Sequence, residues 1–136
     1  MIVVDTSVAV KWAVPEKDTD RALALLGQTL SAPDIFVIEL GHVLTKKVRV
    51  REIPEVVAAA AFVEIPSHVV LAECRALDQR AFELAIQLHH SIHDCYFLAL
   101  AEAADAELVT ADEVFVRKVR DSGAGSPIRL LGETTA

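Results

Sequence analysis

Met1-Ile2-Val3-Val4-Asp5 and Glu107-Leu108-Val109-Thr110 are the two stretches that decide the fold. Each is a short apolar, β-branched run that stops at a polar residue, the pattern of a strand buried on both faces. Burial on both faces belongs to parallel sheets, which helices cover from either side. The chain between and around these runs supplies the helices. Thr6 to Val14 reads as a helix that Pro15 stops. Asp18 to Leu30 carries Ala22, Leu25, Leu26 and Leu30 at helical spacing, and Ser31 to Asp34 is a connector with room for one short strand. Phe36, Leu40, Val43, Leu44 and Val48 recur at i, i+4, i+7, i+8 and i+12, one face of a helix from Asp34 to Val50. Pro54 suits the first turn of a further helix through Phe62, and Val63-Glu64-Ile65-Pro66 reads as a short strand. Cys74 to His90 is predicted helical, with Leu77, Phe82, Leu84, Ala85 and Leu88 as its apolar face. His93 to Ala104 and Glu113 to Arg120 are further helices, and Ile128 to Leu131 a last strand. Strands alternating with helices predict an α/β protein, a single-domain α/β/α sandwich over residues 1–136 with a short, mostly parallel sheet. Residues 132–136 are expected to form a flexible tail.

Twenty acidic against 13 basic side chains give a formal net charge of −7, which excludes a protein that coats nucleic acid by bulk charge. A 53% hydrophobic fraction excludes a disordered chain. The longest uncharged apolar run, Val56 to Val63, is far short of the roughly 20 residues that span a bilayer, so no membrane segment is expected. Asp5 interrupts the apolar start and no basic residue precedes it, so no secretory leader is expected either. Cys74 and Cys95 are too few for a disulfide framework, and the expected compartment is the cytoplasm.

The charge matters through where the acids fall. In open parallel sheets ligands bind beyond the carboxyl ends of the strands. Asp5 ends the first strand, and Asp112 lies two residues past Thr110. Asp94 opens a helix, and Glu39 sits between Phe36 and Val43 at the edge of an apolar stripe. Each has an ordinary reading by itself. Ser91-Ile-His-Asp94 and Thr110-Ala-Asp-Glu113 match capping boxes, acids are common in first turns, and Glu39 suits a salt bridge. Together the four would repel one another until one held a proton. A hard divalent cation such as Mg²⁺ or Mn²⁺ removes that conflict and suits metal-assisted phosphodiester cleavage.

Ile2-Val-Val-Asp5-Thr-Ser-Val8, Ala32-Pro-Asp34 followed by Glu39, His93-Asp94-Cys-Tyr-Phe-Leu-Ala-Leu-Ala101 and Leu108-Val-Thr-Ala-Asp112-Glu-Val-Phe115 together resemble the PIN-domain nucleases. Within that family they resemble the VapC-type toxins of toxin–antitoxin pairs, over nearly the whole chain. The resemblance implies a metal-dependent endoribonuclease that leaves a 5′-phosphate and a 3′-hydroxyl. It implies that Asp5, Glu39, Asp94 and Asp112 hold one or two Mg²⁺ or Mn²⁺ ions. Thr6, Ser7 and Thr110 would hydrogen-bond those carboxylates or water at the metal. It further implies a homodimer and a cognate VapB-type antitoxin, wrapped in an apolar groove and inserting a basic side chain among the acids. His42 departs from the family pattern, which carries Asn three residues after the helix-borne Glu. Gly41 beside it costs roughly 1 kcal/mol relative to Ala within a helix.

Seven of the 13 basic residues follow two of the proposed ligands: Lys46, Lys47, Arg49 and Arg51 beyond Glu39, and Arg117, Lys118 and Arg120 beyond Asp112. Lys46, Lys47, Arg49 and Arg117 are the candidates for RNA phosphate contacts; a solvated helix face is the competing reading. His89, His90 and His93 invite a zinc reading, but the sequence supplies no clear third ligand, Cys95 being of unknown direction. Trp12 and Phe97 read as core or interface residues, and a 5% aromatic content disfavours a stacking-based single-strand binder. Val8, Val10, Trp12, Val56, Val57 and Ala58 to Ala61 offer more apolar surface than one small core needs, as a partner-binding protein would.

Rival classes fit less well. A phosphorylated receiver needs an acidic pair after its first strand and a Lys at a later strand end. A haloacid-dehalogenase-like phosphatase needs Asp-x-Asp where this chain has Asp5-Thr-Ser7. A non-catalytic PIN-like module would not need all four acids, and a PIN nuclease outside any toxin–antitoxin pair is the nearest alternative.

Overall fold

In the computed structural model, which describes residues 1–133, five parallel strands lie in the order β3-β2-β1-β4-β5. The strands are β1 (Ile2–Val4), β2 (Leu30–Pro33), β3 (Val70–Ala72), β4 (Glu107–Thr110) and β5 (Ile128–Leu130). The helices are α1 (Thr6–Ala9), α2 (Thr19–Leu23), α3 (Ile35–Arg49), α4 (Glu55–Ser67), α5 (Asp78–Leu88), α6 (Ile92–Ala103) and α7 (Glu113–Asp121). Helices flank the sheet as an α/β/α fold, as expected. All described pairings are parallel.

β1 lies at the centre because every one of its residues is apolar and fully covered. It pairs on one side with β2, Ile2 opposite Leu30, and on the other with β4, Val4 opposite Val109. The chain therefore leaves β1 in one direction and returns on its other side at β4. Between these strands lies the topological switch point where open α/β sheets bind ligands. Helix α6 packs on β1, β2 and β4. Its Phe97, Leu98, Ala99 and Ala101 are buried, and small residues there let the helix approach the sheet closely. Phe36, Leu40 and Leu44 bury the predicted stripe of α3. Gly41 on the same helix faces α4, where a Cβ would lie 3.2 Å from Phe62 Cε1.

Several expectations are corrected. Val63 to Pro66 is not a strand, because α4 continues through Ser67. Ala58, Ala61 and Ile65 keep the helical period and bury one side. Pro66 is the penultimate residue of α4, where it removes one amide donor from the last turn. The third strand is Val70–Ala72, an edge strand with Val70 and Leu71 exposed, so it lacks the fully apolar signature of a buried strand. The Asp18–Leu30 helix stops early, passing through a 3-10 turn at Ala24–Gly27, and Leu30 is drawn into β2. The first helix likewise becomes a 3-10 turn at Val10–Trp12, and Cys74–Leu77 is a 3-10 turn before α5. Phe82 is exposed rather than part of the inward face of α5. Val8 and Val10 belong to the core, whereas Val56, Val57 and Val63 do stand in solvent. Trp12 is half-buried, its indole N–H donating to the Ala22 carbonyl at 2.8 Å, and Phe97 is a core residue. Cys74 and Cys95 are both free. At the start of the predicted tail, Arg120 pairs with Glu133 at 2.7 Å and Arg21 donates to the Gly132 carbonyl. Residues 134–136 lie outside the described residues. No described helix is long and apolar enough to cross a membrane.

Helices α3, α5 and α6 end in the same way, with Arg51, His89 and Asp105 at positive φ. After α3, the Glu52 amide donates to the Lys47 carbonyl and the Arg51 amide to the Val48 carbonyl, the paired bonds of a Schellman motif. Glycine occupies this left-handed position at no steric cost, whereas other side chains crowd the following carbonyl. Arg51→Gly is expected to raise stability by roughly 1 kcal/mol in denaturant unfolding. An unchanged or lower midpoint would show that the Arg51 side chain contributes contacts worth at least that much.

Candidate active site

The carboxyl edge of the sheet gathers all four acids singled out in the sequence. Asp5 ends β1 and Asp112 follows β4, and the direct pairing of those strands makes them neighbours. Glu39 comes from α3 and Asp94 from the first turn of α6. The four line one cavity of about 650 Å³, together with Thr6, Ser7 and His42. Ile38, Val43 and His93 complete its wall, and no Lys or Arg lines it.

Two hydroxyls stitch the β1–α1 and β4–α7 turns around Asp5. Ser7 Oγ donates to Asp5 Oδ2 at 2.5 Å and accepts from the Ala111 amide at 3.1 Å. Thr110 Oγ1, fully buried, donates to the same oxygen at 3.0 Å and accepts from the Asp112 amide at 3.2 Å. Thr6 Oγ1 donates to Glu39 Oε2 at 3.1 Å. Asp112 is the N-cap of α7, its Oδ1 accepting from the Phe115 amide at 3.1 Å. The cap of α7 is therefore Asp112 rather than Thr110, and the site and capping readings of Asp112 are compatible. The Ser91 box does not form: Ser91 stands at the N-cap of α6 but its side chain makes no cap bond, and its Oγ lies 3.2 Å from His93 Nδ1. Asp94 Oδ2 instead meets His90 Nε2 at 2.6 Å. The side-chain and cap bonds fall on Asp5 Oδ2, Glu39 Oε2, Asp94 Oδ2 and Asp112 Oδ1.

The electrostatics are those of an uncompensated negative site. Burial, and next the Asp94 charge, push the Asp5 carboxyl up to about 6, although Ser7 and Thr110 pull the other way. Burial, and next the Asp5 charge, push Glu39 up to about 7. A set of oxygen donors in which two acids resist ionisation fits a divalent cation, whose charge would favour the ionised forms.

The basic candidates stand outside the cavity. Lys47 is engaged by Glu52 at 2.9 Å and Glu16 at 3.3 Å. Lys46, Arg49 and Arg117 are exposed, with no carboxylate partner among the described residues, and Arg49 borders a groove between α3 and α4. Sequence reasoning gave His90 no role at the site. His90, Asp94 and Asp112 can each offer one atom within 4.8 Å of the others, close enough to share an ion. The i, i+4 spacing of His90 and Asp94 was the available signal.

The sequence profile of the PIN domain matches residues 2–120, and the chain belongs to the PIN domain family, which implies a nuclease. Solved structures share the fold. The crystal structure of PAE2754 from Pyrobaculum aerophilum has a TM-score of 0.69 at 21% identity, over 86% of this chain and 84% of that one. A toxin–antitoxin complex from Klebsiella pneumoniae has a TM-score of 0.69 at 14% identity, over 98% and 100%. VapBC2 from Rickettsia felis, bound to a DNA fragment from its promoter, has a TM-score of 0.68 at 18% identity, over 96% and 98%. A comparison with curated proteins gives no match.

The raised carboxyls set a sign for pH. The folded chain holds protons that the unfolded chain has lost above about pH 4. Stability from this source is therefore present at low pH and lost as pH rises through about 6 for Asp5 and about 7 for Glu39. Glu39→Gln, which cannot ionise, is expected to match wild type near pH 5 in EDTA. At pH 8 it should exceed wild type by on the order of 1–2 kcal/mol, after allowance for a side chain that is only partly buried. A divalent cation should narrow or reverse that order. Parallel denaturation curves at both pH values would contradict the crowding of charge at this site.

Proposed function

We propose that the protein is a metal-dependent endoribonuclease, the toxin of a VapBC-type toxin–antitoxin pair, with Asp5, Glu39, Asp94 and Asp112 as ligands for Mg²⁺ or Mn²⁺. The observation that carries this reading is the convergence of four carboxylates in a cavity that no Lys or Arg lines. A divalent cation held by Asp5, Glu39, Asp94 and Asp112 would supply positive charge for an approaching phosphodiester and would acidify a bound water. The chain's own residues hold the ligands in register. Ser7 and Thr110 fix Asp5, Thr6 fixes Glu39, and the α7 cap fixes Asp112, so little reorganisation is needed when substrate arrives. His42, on the cavity wall, offers a hydrogen-bond donor where Asn is usual in the family. Lys46, Arg49 and Arg117 are suited to phosphates flanking the cut; Lys47 would first have to leave Glu16 and Glu52.

Two of the fold neighbours are toxin–antitoxin assemblies, which favours a VapB-type antitoxin as partner. The exposed apolar side chains of α4, Val56, Val57, Phe62 and Val63, suit a partner or a second copy in a homodimer. A toxin that cuts cellular RNA works in the cytoplasm, which free cysteines suit.

Incubation of RNA with the purified protein tests this reading. Cleavage is expected with Mg²⁺ or Mn²⁺, to be lost in EDTA, and to fall at least 100-fold in Asp5→Ala and Asp94→Ala. Equal activity in wild type and both variants would assign the cleavage to a contaminant and remove the proposed site. Neutralising Lys46, Arg49 and Arg117 together should weaken RNA binding and flatten its dependence on salt. An unchanged slope of log affinity against log salt would exclude these residues from the RNA path.

A further inference from the structure

His90 touches the acidic site without being one of its four acids. Three contacts fix its ring. Nε2 lies 2.6 Å from Asp94 Oδ2, Nδ1 lies 3.2 Å from Lys118 Nζ, and the ring stacks on Phe115 with centroids 4.4 Å apart and planes at 21°. The side chain is only 10% exposed. Lys118 is itself anchored, donating to the His89 carbonyl at 2.9 Å. That carbonyl is presented by the turn between α5 and α6, where His89 adopts φ 50°. The contacts therefore tie α7 to the α5–α6 turn through one imidazole.

Distance alone would make His90 a metal ligand beside Asp94 and Asp112. The inventory of protons says otherwise. A lysine ammonium carries donors and no acceptor. Its contact at Nδ1 uses the ring lone pair there, so the ring proton sits on Nε2 and is directed at Asp94 Oδ2. A nitrogen that carries this proton has no lone pair for a cation. We infer that His90 is a positioning residue, its tautomer set by Lys118, which occupies Asp94 Oδ2 and leaves Oδ1 as the oxygen for a cation. The tautomer stands on the geometry alone; the positioning role rests on the reading of Asp94 as a cation ligand given above.

Long-range ¹H–¹⁵N spectra of the full chain report the tautomer of each ring, and His90→Gln assigns the His90 signals. The Nε2–H tautomer is expected without metal and after addition of excess Mg²⁺. In Lys118→Met the His90 signals should move towards a mixture of tautomers. An Nδ1–H ring in wild type, or a displaced Nε2 resonance on adding Mg²⁺, would overturn the inference. Mn²⁺ binding followed by electron paramagnetic resonance reads the positioning role. His90→Ala should weaken binding roughly 10–100-fold, the usual cost of removing a group that orients a metal ligand. His90→Gln, whose amide N–H can still reach Asp94, should stay within a few-fold of wild type. Equal loss in both variants would make the imidazole itself a ligand, and no loss in either would remove the role. Absence of Mn²⁺ binding in wild type with the Nε2–H tautomer intact would instead overturn the cation site, and the positioning role with it.

Discussion

The pairing of β1 with β4 is the contact on which the rest depends. It sets Val4 beside Val109, and so brings the residue after one strand next to the turn after the other. That pairing makes neighbours of Asp5 and Asp112, 107 positions apart in a chain of 136. The apolar residues of both strands are buried on both faces, and that burial holds the pair together. Hydrophobic burial thus supplies the free energy that gathers like charges. It does so at the switch point of the sheet, where no strand or helix fills the space.

Gathering carboxylates has a cost, and the local chemistry meets only part of it. Ser7 and Thr110 donate to one oxygen of Asp5, yet burial and the neighbouring acids still raise its affinity for protons, as they do for Glu39. In a purely structural site such acids would be expected to pair with Lys or Arg, as Glu102 pairs with Arg80 and Glu107 with Arg129 elsewhere in this molecule. Three cations of α3 and α7 are employed elsewhere. Lys118 faces His90, Arg120 faces Glu133, and Lys47 faces Glu52 and Glu16. The negative charge of the cavity is therefore left for something that binds to it. This also resolves the net charge of the chain. An overall value of −7 speaks against a coat on nucleic acid, while a few exposed basic residues outside an acidic cavity suit a protein that engages nucleic acid at one phosphate.

Much of this was legible in the sequence where physics acts locally. The two β-branched runs became β1 and β4, and the spaced apolar residues of α3 became its buried face. The four acids lay at strand ends or beside an apolar stripe. Legibility failed where the third dimension decides. β3 is an edge strand with two exposed residues, so it carries no buried signature. Val63 to Pro66 looked extended because its composition is β-branched and proline-bearing, but Ile65 completes a helical spacing that packing rewards. Ser91 had the right spacing to cap α6, yet the competing bond from His90 to Asp94 uses the acid that the box would need. His90 itself was hidden because its role depends on Lys118 and Phe115, which only folding brings near.

A cation bound among the four acids would displace the protons held there. Calorimetric titration of Mn²⁺ at pH 6.5, repeated in two buffers of different ionisation heat, counts those protons directly. Binding is expected to release a fraction of a proton or more, because Asp5 and Glu39 are partly protonated there. The release is expected to shrink in Glu39→Gln. Binding with no proton release, or no binding at all, would contradict that expectation.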